Sequence, residues 1–104
     1  MDGFLIHEAA AVRLDRIYCY TRDRYGEEQA NAYIYGLFSV FQKIADQMIM
    51  SRPVPAELEV DGYFCRYKRH YIYWKRLKDG HIGIVTILHE KMHQISHLKE
   101  EFEL

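Results

Sequence analysis

The stretch of residues 88–97, LHEKMHQISH, contains the pattern H-E-x-x-H. When both histidines lie on one helix they can bind the same zinc ion, and the glutamate after the first can act as the general base of a metallopeptidase. The apolar run at residues 82–88 is typical of a β-strand, however, and places His89 at the junction between a strand and a helix. Because a zinc peptidase of this type needs both histidines within one helix, we expect no peptidase site here.

His93 and His97 are four residues apart in the segment that is predicted to form the closing helix. Residues at this spacing share one helix face, so the pair could bind a metal ion weakly. The alternative is two exposed histidines on a solvated helix. We expect no resident metal and no other cofactor.

A basic segment is the second candidate for function. Residues 62–78 carry six Lys and Arg side chains and no Asp or Glu. On a strand, Arg66 and Lys68 would point to the same face, aligned for contact with a nucleic acid or an acidic protein. The alternative is a solvated sheet face, or salt bridges to acidic neighbours. The candidate target-binding residues are Arg66, Lys68, Arg69, His70, Lys75, Arg76, His89 and Lys91.

Aromatic residues of the predicted helices are candidates for a protein interface, since aromatic anchors dominate the energy of such interfaces. Tyr35 and Phe38 fall outside the apolar stripe of their helix and need not belong to the core. The alternative to a role in binding is that these side chains pack in the core. The candidate partner-binding residues are Tyr18, Tyr25, Tyr35 and Phe38.

The whole chain has 104 residues, a formal net charge of −1 and 49% hydrophobic residues. This length predicts one domain with one core, and the composition is that of a folded protein. No run approaches the roughly 18 apolar residues of a membrane helix, and no secretory signal is recognisable at the N-terminus. The two widely separated cysteines fit a reducing cytoplasm.

The first half of the chain predicts a strand and two helices. Residues 3–8 are apolar and typical of a short β-strand. An amphipathic helix follows and ends near Tyr25, with Gly26 as its cap, and the short connection to the next helix predicts an antiparallel hairpin. The apolar stripe of the second helix comprises Ala30, Tyr33, Leu37, Phe41, Ile44 and Met48.

The second half of the chain predicts β-structure. Two prolines within residues 51–62 end the second helix. Alternating and aromatic residues then predict strands at residues 63–67, 70–77 and 82–88, with the sequence KDG as a tight turn before the last. That strand is apolar on both faces, so we expect it inside the sheet. A closing helix would bury Met92, Ile95, Leu98 and Phe102.

Three segments in matching order, YGEEQANAY, RHYIYW and ILHEKMHQISHL, resemble the ParE toxins, a branch of the ParE/RelE superfamily. The resemblance implies an α+β fold: an N-terminal strand and an antiparallel helical hairpin packed on a small twisted antiparallel β-sheet, with a C-terminal helix. It also implies the toxin of a type II toxin-antitoxin system. Such a toxin binds DNA gyrase, stabilises its cleaved-DNA state and blocks replication, without catalysis of its own.

The partners that the resemblance implies are a cognate ParD-like antitoxin and DNA gyrase. The aromatic candidates would contact the antitoxin, and the basic candidates would contact gyrase. The resemblance implies a cytoplasmic protein that contacts no membrane. It also implies no direct sequence-specific binding of nucleic acid except through the antitoxin complex.

Two positions depart from the family pattern and keep alternatives open. Thr86 stands where many members have Arg, and His93 stands where many have Asp. One alternative is a RelE-like ribosome-dependent mRNA endonuclease, with His70 or His89 as its base. The acidic C-terminal segment argues against it, because it would repel a phosphate backbone. The other alternative is a ParE-like protein that has lost its toxicity.

Overall fold

The computed structural model describes residues 3–58 and 60–102 of the chain. It contains three α-helices and five strands, and confirms the predicted α+β fold with a C-terminal helix. No helix within these ranges is long and apolar enough to cross a membrane. In chain order the elements are β1 (Phe4–Ile6), α1 (Glu8–Tyr25), α2 (Glu27–Ala45), β2 (Arg52–Pro53), a short 3₁₀ helix (Ala56–Leu58), β3 (Tyr63–Tyr67), β4 (His70–Arg76), β5 (Ile82–His89) and α3 (Gln94–Glu101).

The strands form one sheet in the order β1-β5-β4-β3-β2. β3 pairs with β4 and β4 with β5 in antiparallel orientation, as predicted, because short connections join them. β2 also pairs antiparallel with β3. β1 pairs with β5 in parallel, from Phe4 opposite Ile82 to Ile6 opposite Ile84, so the sheet is mixed. In the sequence, α1 and α2 lie between β1 and the other strands. No hairpin turn therefore joins β1 to its neighbour β5 and fixes the direction of β1. The two-residue strand β2 was not predicted.

Gly26 is the only residue between α1 and α2. Its φ of 98° lies in a region that side chains rarely allow, and its N–H donates to the carbonyl of Arg22 at 2.9 Å. The predicted glycine cap and helical hairpin are thus confirmed. Ala10 and Leu14 of α1 pack with Leu37 and Phe41 of α2 over one face of the sheet.

Two predicted apolar positions are not buried. Met48 lies beyond the end of α2 and its side chain is 71% exposed, because the chain turns at Gln47, where φ is 59°. Ile95 is 49% exposed. α3 begins only at Gln94, later than predicted. Leu98 and Phe102 are buried as predicted, and Glu101 is also buried.

The sheet lies between two apolar layers. The helical hairpin covers one face, and α3 with the 3₁₀ helix region covers the other. Residues 82–88 of β5 are all buried, which confirms its predicted place inside the sheet. A bulge interrupts the pairing of β4 with β5 between Tyr73 and Trp74, which face Thr86 and Ile84. The extra residue, Val85, lets both Val85 and Thr86 contact the α3 side.

Candidate functional site

The structure separates the two histidines of the H-E-x-x-H pattern. His89 is the last residue of β5, and His93 has extended backbone angles and precedes α3. They do not share a helix, in agreement with the sequence analysis. His93 contacts Ser96 Oγ through Nδ1 at 2.5 Å, and His97 Nδ1 lies 3.1 Å from the guanidinium of Arg13. Within residues 3–58 and 60–102, no group of three or more His, Cys, Asp or Glu could hold a metal ion.

Six of the eight target-binding candidates meet at one end of the sheet, which we call the basic corner. The β3–β4 turn and the end of β5 form it, because Tyr67 pairs with His70 and His70 pairs with His89. The basic corner comprises Arg66, Lys68, Arg69, His70, His89 and Lys91.

Lys75 and Arg76 lie at the opposite end of β4, about 20 Å away at the rise of a strand. The guanidinium of Arg76 stacks over Trp74 at 5.5 Å and over Tyr63 at 5.9 Å. The basic segment of the sequence is therefore two separate surfaces.

Arg66 and Lys68 do not share a face, so that part of the sequence analysis is wrong. β3 ends at Tyr67, and Lys68 lies in the turn with φ of 52°, where the alternation of a strand stops. Its ammonium group lies over the rings of Tyr33 and Tyr67, on the side of the helical hairpin. Arg66 stacks instead over Tyr71, at 5.2 Å, on the side of α3.

Glu90 pairs with two arginines of the basic corner. One of its carboxylate oxygens accepts from Arg66 Nη2, and the other accepts from Arg69 Nη1 at 3.0 Å. These two arginines form salt bridges, as the alternative in the sequence analysis expected, but their partner Glu90 lies outside the acidic segments on which that alternative rested. In the sequence, Glu90 is a candidate only as the general base of the H-E-x-x-H pattern. Glu90 is 24 and 21 residues from its partners, so no local pattern could have revealed the pairing.

His70 is hydrogen-bonded to the hydroxyl of Tyr33, with 2.7 Å between Nδ1 and Oη. Burial, assisted by the neighbouring His89, lowers the pKa of His70 to about 4. The rings of His70 and His89 lie 5.1 Å apart, and His89 Nδ1 accepts the backbone N–H of Lys91 at 3.1 Å. An imidazole with so low a pKa is a weak general base at neutral pH. The geometry therefore favours a hydrogen-bonded histidine at a strand end.

The four aromatic candidates lie in different surroundings. Tyr35 is 75% exposed, whereas Phe38 is 37% exposed and packs on Phe4 and Phe41. Tyr25 faces a shallow depression that Lys68 also lines, beside the basic corner. Tyr18 is partly buried beneath the guanidinium of Arg22. Only Tyr35 and Phe38, on the outer side of α2, are neighbours on a surface away from the basic corner.

Thr86, one of the two departures from the family pattern, is fully buried. Its hydroxyl donates to Glu101 Oε1 at 2.5 Å, and Glu101 Oε2 accepts from Arg13 at 2.6 Å. Thr86 therefore connects the sheet to α3 and is not available to contact a target. The pairing of Glu101 with Arg13 spans 88 residues and was not predicted.

The family model of the ParE toxin of type II toxin-antitoxin systems, parDE, matches residues 4–94. No curated protein matches the chain. A solved structure described as the chromosomal ParDE TA system from P. aeruginosa matches with a TM-score of 0.66 and 20% sequence identity, over 86% of this chain and 96% of that one. At this identity, the structural match shows a common fold.

Proposed function

Because the chain belongs to the ParE toxin family of type II toxin-antitoxin systems, we propose that it binds DNA gyrase, stabilises the cleaved-DNA complex and so blocks replication in the cytoplasm. A ParD-like antitoxin neutralises it. The match of the family model over residues 4–94 carries this proposal, since it includes both helices of the hairpin and every strand of the sheet.

The basic corner is the proposed contact surface for gyrase. It combines four cationic side chains from two separate segments, and a cluster of one charge sign attracts an oppositely charged partner. Those side chains are Arg66, Lys68, Arg69 and Lys91, and each is exposed.

The outer side of α2 is the proposed contact surface for the antitoxin. Tyr35 and Phe38 have exposed aromatic rings there, and Phe38 packs against Phe4 of the edge strand β1. Leu5 on the same edge strand is 52% exposed. Aromatic side chains with apolar neighbours are the usual anchors of a protein interface.

The surroundings of His70 fit a toxin that acts by binding better than they fit a nuclease. Cleavage of RNA by 2′-OH attack needs a base whose pKa lies near the working pH. His70 has a pKa of about 4 and is hydrogen-bonded to Tyr33, so it is poorly suited to that role. We propose no catalytic step for this protein.

The test is a cleavage assay with supercoiled plasmid, gyrase, ATP and the purified protein, quenched with detergent. We expect linear DNA that depends on gyrase and disappears when the cognate antitoxin is added first. Supercoiled plasmid that stays uncut, in the presence of a control toxin that does produce linear DNA, would reject gyrase as the target. Cleavage of ribosome-bound mRNA would then be the next activity to measure.

A further inference from the structure

Arg66 and Arg69 converge on one anion. Each guanidinium takes a different oxygen of the Glu90 carboxylate, so the two arginines together grip both oxygens of one group. Guanidinium groups bind carboxylates and phosphates through the same paired geometry. We propose that this arginine pair is a binding site for phosphates of a nucleic-acid backbone, and that Glu90 occupies it in the free protein.

Arg66 is held in place without help from Glu90. Its Nε donates to the carbonyl of Lys68 at 2.7 Å, and its Nη1 lies 3.3 Å from the hydroxyl of Tyr71. The guanidinium also stacks over the ring of Tyr71. Removal of the Glu90 carboxylate therefore leaves a positioned and half-exposed guanidinium.

The Glu90 side chain is displaceable. Its backbone is anchored, because its N–H donates to the carbonyl of Arg69 at 2.8 Å. Its carboxylate is half-buried and is attached through ion pairs whose arginine side chains are 50% and 71% exposed. Such pairs contribute little to stability and are screened by salt. A dense row of phosphates can compete for the same two arginines.

The charges of the basic corner favour a nucleic acid over an acidic protein segment. Lys68 and Lys91 accompany the two arginines, and Glu90 is the acidic partner of both arginines among the described residues. With His70 neutral, the basic corner carries four cationic groups, two of which share the single carboxylate of Glu90. Several clustered cations match the regular charge spacing of a phosphate backbone. This inference rests on the proposed function for the source of the phosphates, the DNA that gyrase holds.

The test measures binding of the full chain to a labelled duplex of mixed-sequence DNA by fluorescence anisotropy, without gyrase, over a range of salt concentrations. Glu90→Gln is compared with the unaltered protein. Each newly available phosphate contact should steepen the slope of log K against log salt by about 0.9 and raise affinity near 0.1 M salt by roughly tenfold. We therefore expect tighter and more salt-dependent binding by Glu90→Gln.

Glu57→Gln is the matched control, since it makes the same charge change at an exposed residue of the 3₁₀ helix, beyond the opposite end of β3. Equal gains from Glu57→Gln and Glu90→Gln would mean that net charge alone is responsible, and would overturn the proposal. Addition of Arg69→Gln to Glu90→Gln should remove most of the gain. Retention of the full gain in that double variant would equally overturn it.

Binding of an acidic polypeptide distinguishes a nucleic-acid partner from an acidic protein partner. Labelled poly-glutamate that gains affinity for Glu90→Gln, while DNA does not, would assign the site to an acidic protein and overturn the proposal. The plasmid cleavage assay is independent of both measurements. If the DNA result is as expected but no gyrase-dependent cleavage occurs, the phosphate site stands and the gyrase target falls; the reverse pair of results rejects only the phosphate site.

Discussion

His70 shows how burial changes the chemistry of a side chain that the sequence offers as a base. The ring lies at the start of β4 beneath Tyr33, and desolvation is the largest cause of its low pKa. Its neighbour His89 lowers the pKa further, and Glu90 partly opposes the shift. At neutral pH the imidazole is uncharged, so it adds hydrogen bonding and not charge to the basic corner.

This low pKa predicts how stability depends on pH. His70 has a pKa of about 4 in the folded protein against an ordinary value of 6.5, so between these values the unfolded chain binds more protons. Stability should therefore fall as pH decreases through this window, by on the order of 3 kcal/mol. In His70→Gln that part of the slope should vanish, as measured by urea unfolding at several pH values. An identical slope in the two proteins would contradict the assignment.

Glu101 is a buried carboxylate that joins three elements. It lies on α3, accepts from Thr86 on β5 and Arg13 on α1, and is only 8% exposed. Burial alone would raise the pKa of this carboxyl, but the two hydrogen bonds and the charge of Arg13 outweigh burial and lower it. The carboxylate is therefore ionised at neutral pH and holds α3 against the rest of the molecule.

Removal of this carboxylate should be costly. Glu101→Ala leaves Arg13, itself 15% exposed, without its carboxylate partner, and loss of one member of a buried pair costs about 3 kcal/mol. Glu100→Ala, at the exposed neighbouring position, should change the free energy of unfolding by less than about 0.5 kcal/mol. Urea unfolding at neutral pH compares the two. A small loss for Glu101→Ala would show that α3 is held by its apolar contacts.

The same pairing predicts a response to acid. Because the pKa of Glu101 in the folded protein lies below its ordinary value of 4.5, its contribution is present above that value and is lost as pH falls through the lower, folded pKa. Glu101→Gln should lose less stability than the unaltered protein over this acid range. If the urea midpoints of Glu101→Gln and of the unaltered protein fell by the same amount as pH decreased, the prediction would be contradicted.

At the scale of elements, the approach of α2 to β3 depends on a glycine. A Cβ atom at Gly36 would lie 1.9 Å from the hydroxyl oxygen of Tyr67, because the Tyr67 ring rests on the helix at that point. Tyr67 is also packed edge-on against Tyr33, with ring centroids 5.2 Å apart, and lies beneath Lys68. A glycine inside a helix indicates, from the sequence alone, only a loss of helix propensity.

Gly36→Ala tests whether packing against Tyr67 or helix propensity decides the stability of the protein at this position. Alanine gains about 1 kcal/mol of helix propensity, but an overpacked contact of this kind costs about 1–3 kcal/mol, so we expect a net loss of stability. Tyr67→Leu should cost less in the Gly36→Ala background than alone, because it removes the ring that meets the new methyl group. Thermal or urea unfolding of the four proteins gives the coupling. Additive effects would mean that the Tyr67 ring moves aside freely.

At the scale of the whole molecule, the two proposed surfaces lie on different sides of α2. Tyr33 is hydrogen-bonded to His70 of the basic corner, whereas Phe38 packs on Phe4 of the edge strand. At 3.6 residues per turn, Tyr35 and Phe38 lie on nearly the opposite side of the helix from Tyr33. Contacts that share no partners normally act independently.

Independent surfaces predict separable variants under the proposed function. Tyr35→Ala should weaken antitoxin binding by roughly tenfold or more, as an exposed aromatic anchor, and leave gyrase-dependent cleavage unchanged. Arg69→Gln should reduce cleavage and leave antitoxin binding unchanged. Titration calorimetry with the antitoxin and the plasmid assay measure the two effects. Loss of both activities in either variant, with stability unaltered, would show one shared surface.

The sequence by itself determined the longer elements and their order, but not β2 or the first residue of α3. Apolar periodicity located α1, α2 and the three long strands, and Gly26 marked the turn between the helices, because these signals come from residues a few positions apart. The separation of His89 from His93 was also predictable, since the apolar strand leads directly into His89. The three segments that resemble the ParE toxins led to the family that the family model matches.

Only the tertiary structure decided which side chains meet. Glu90 pairs with Arg66 and Arg69, Glu101 joins Arg13 to Thr86, and Tyr67 covers Gly36, in each case across many residues of chain. The parallel placement of β1 belongs to the same class. Ion pairs and close packing depend on distance in space, and a periodic pattern along one element carries no information about the element that packs against it.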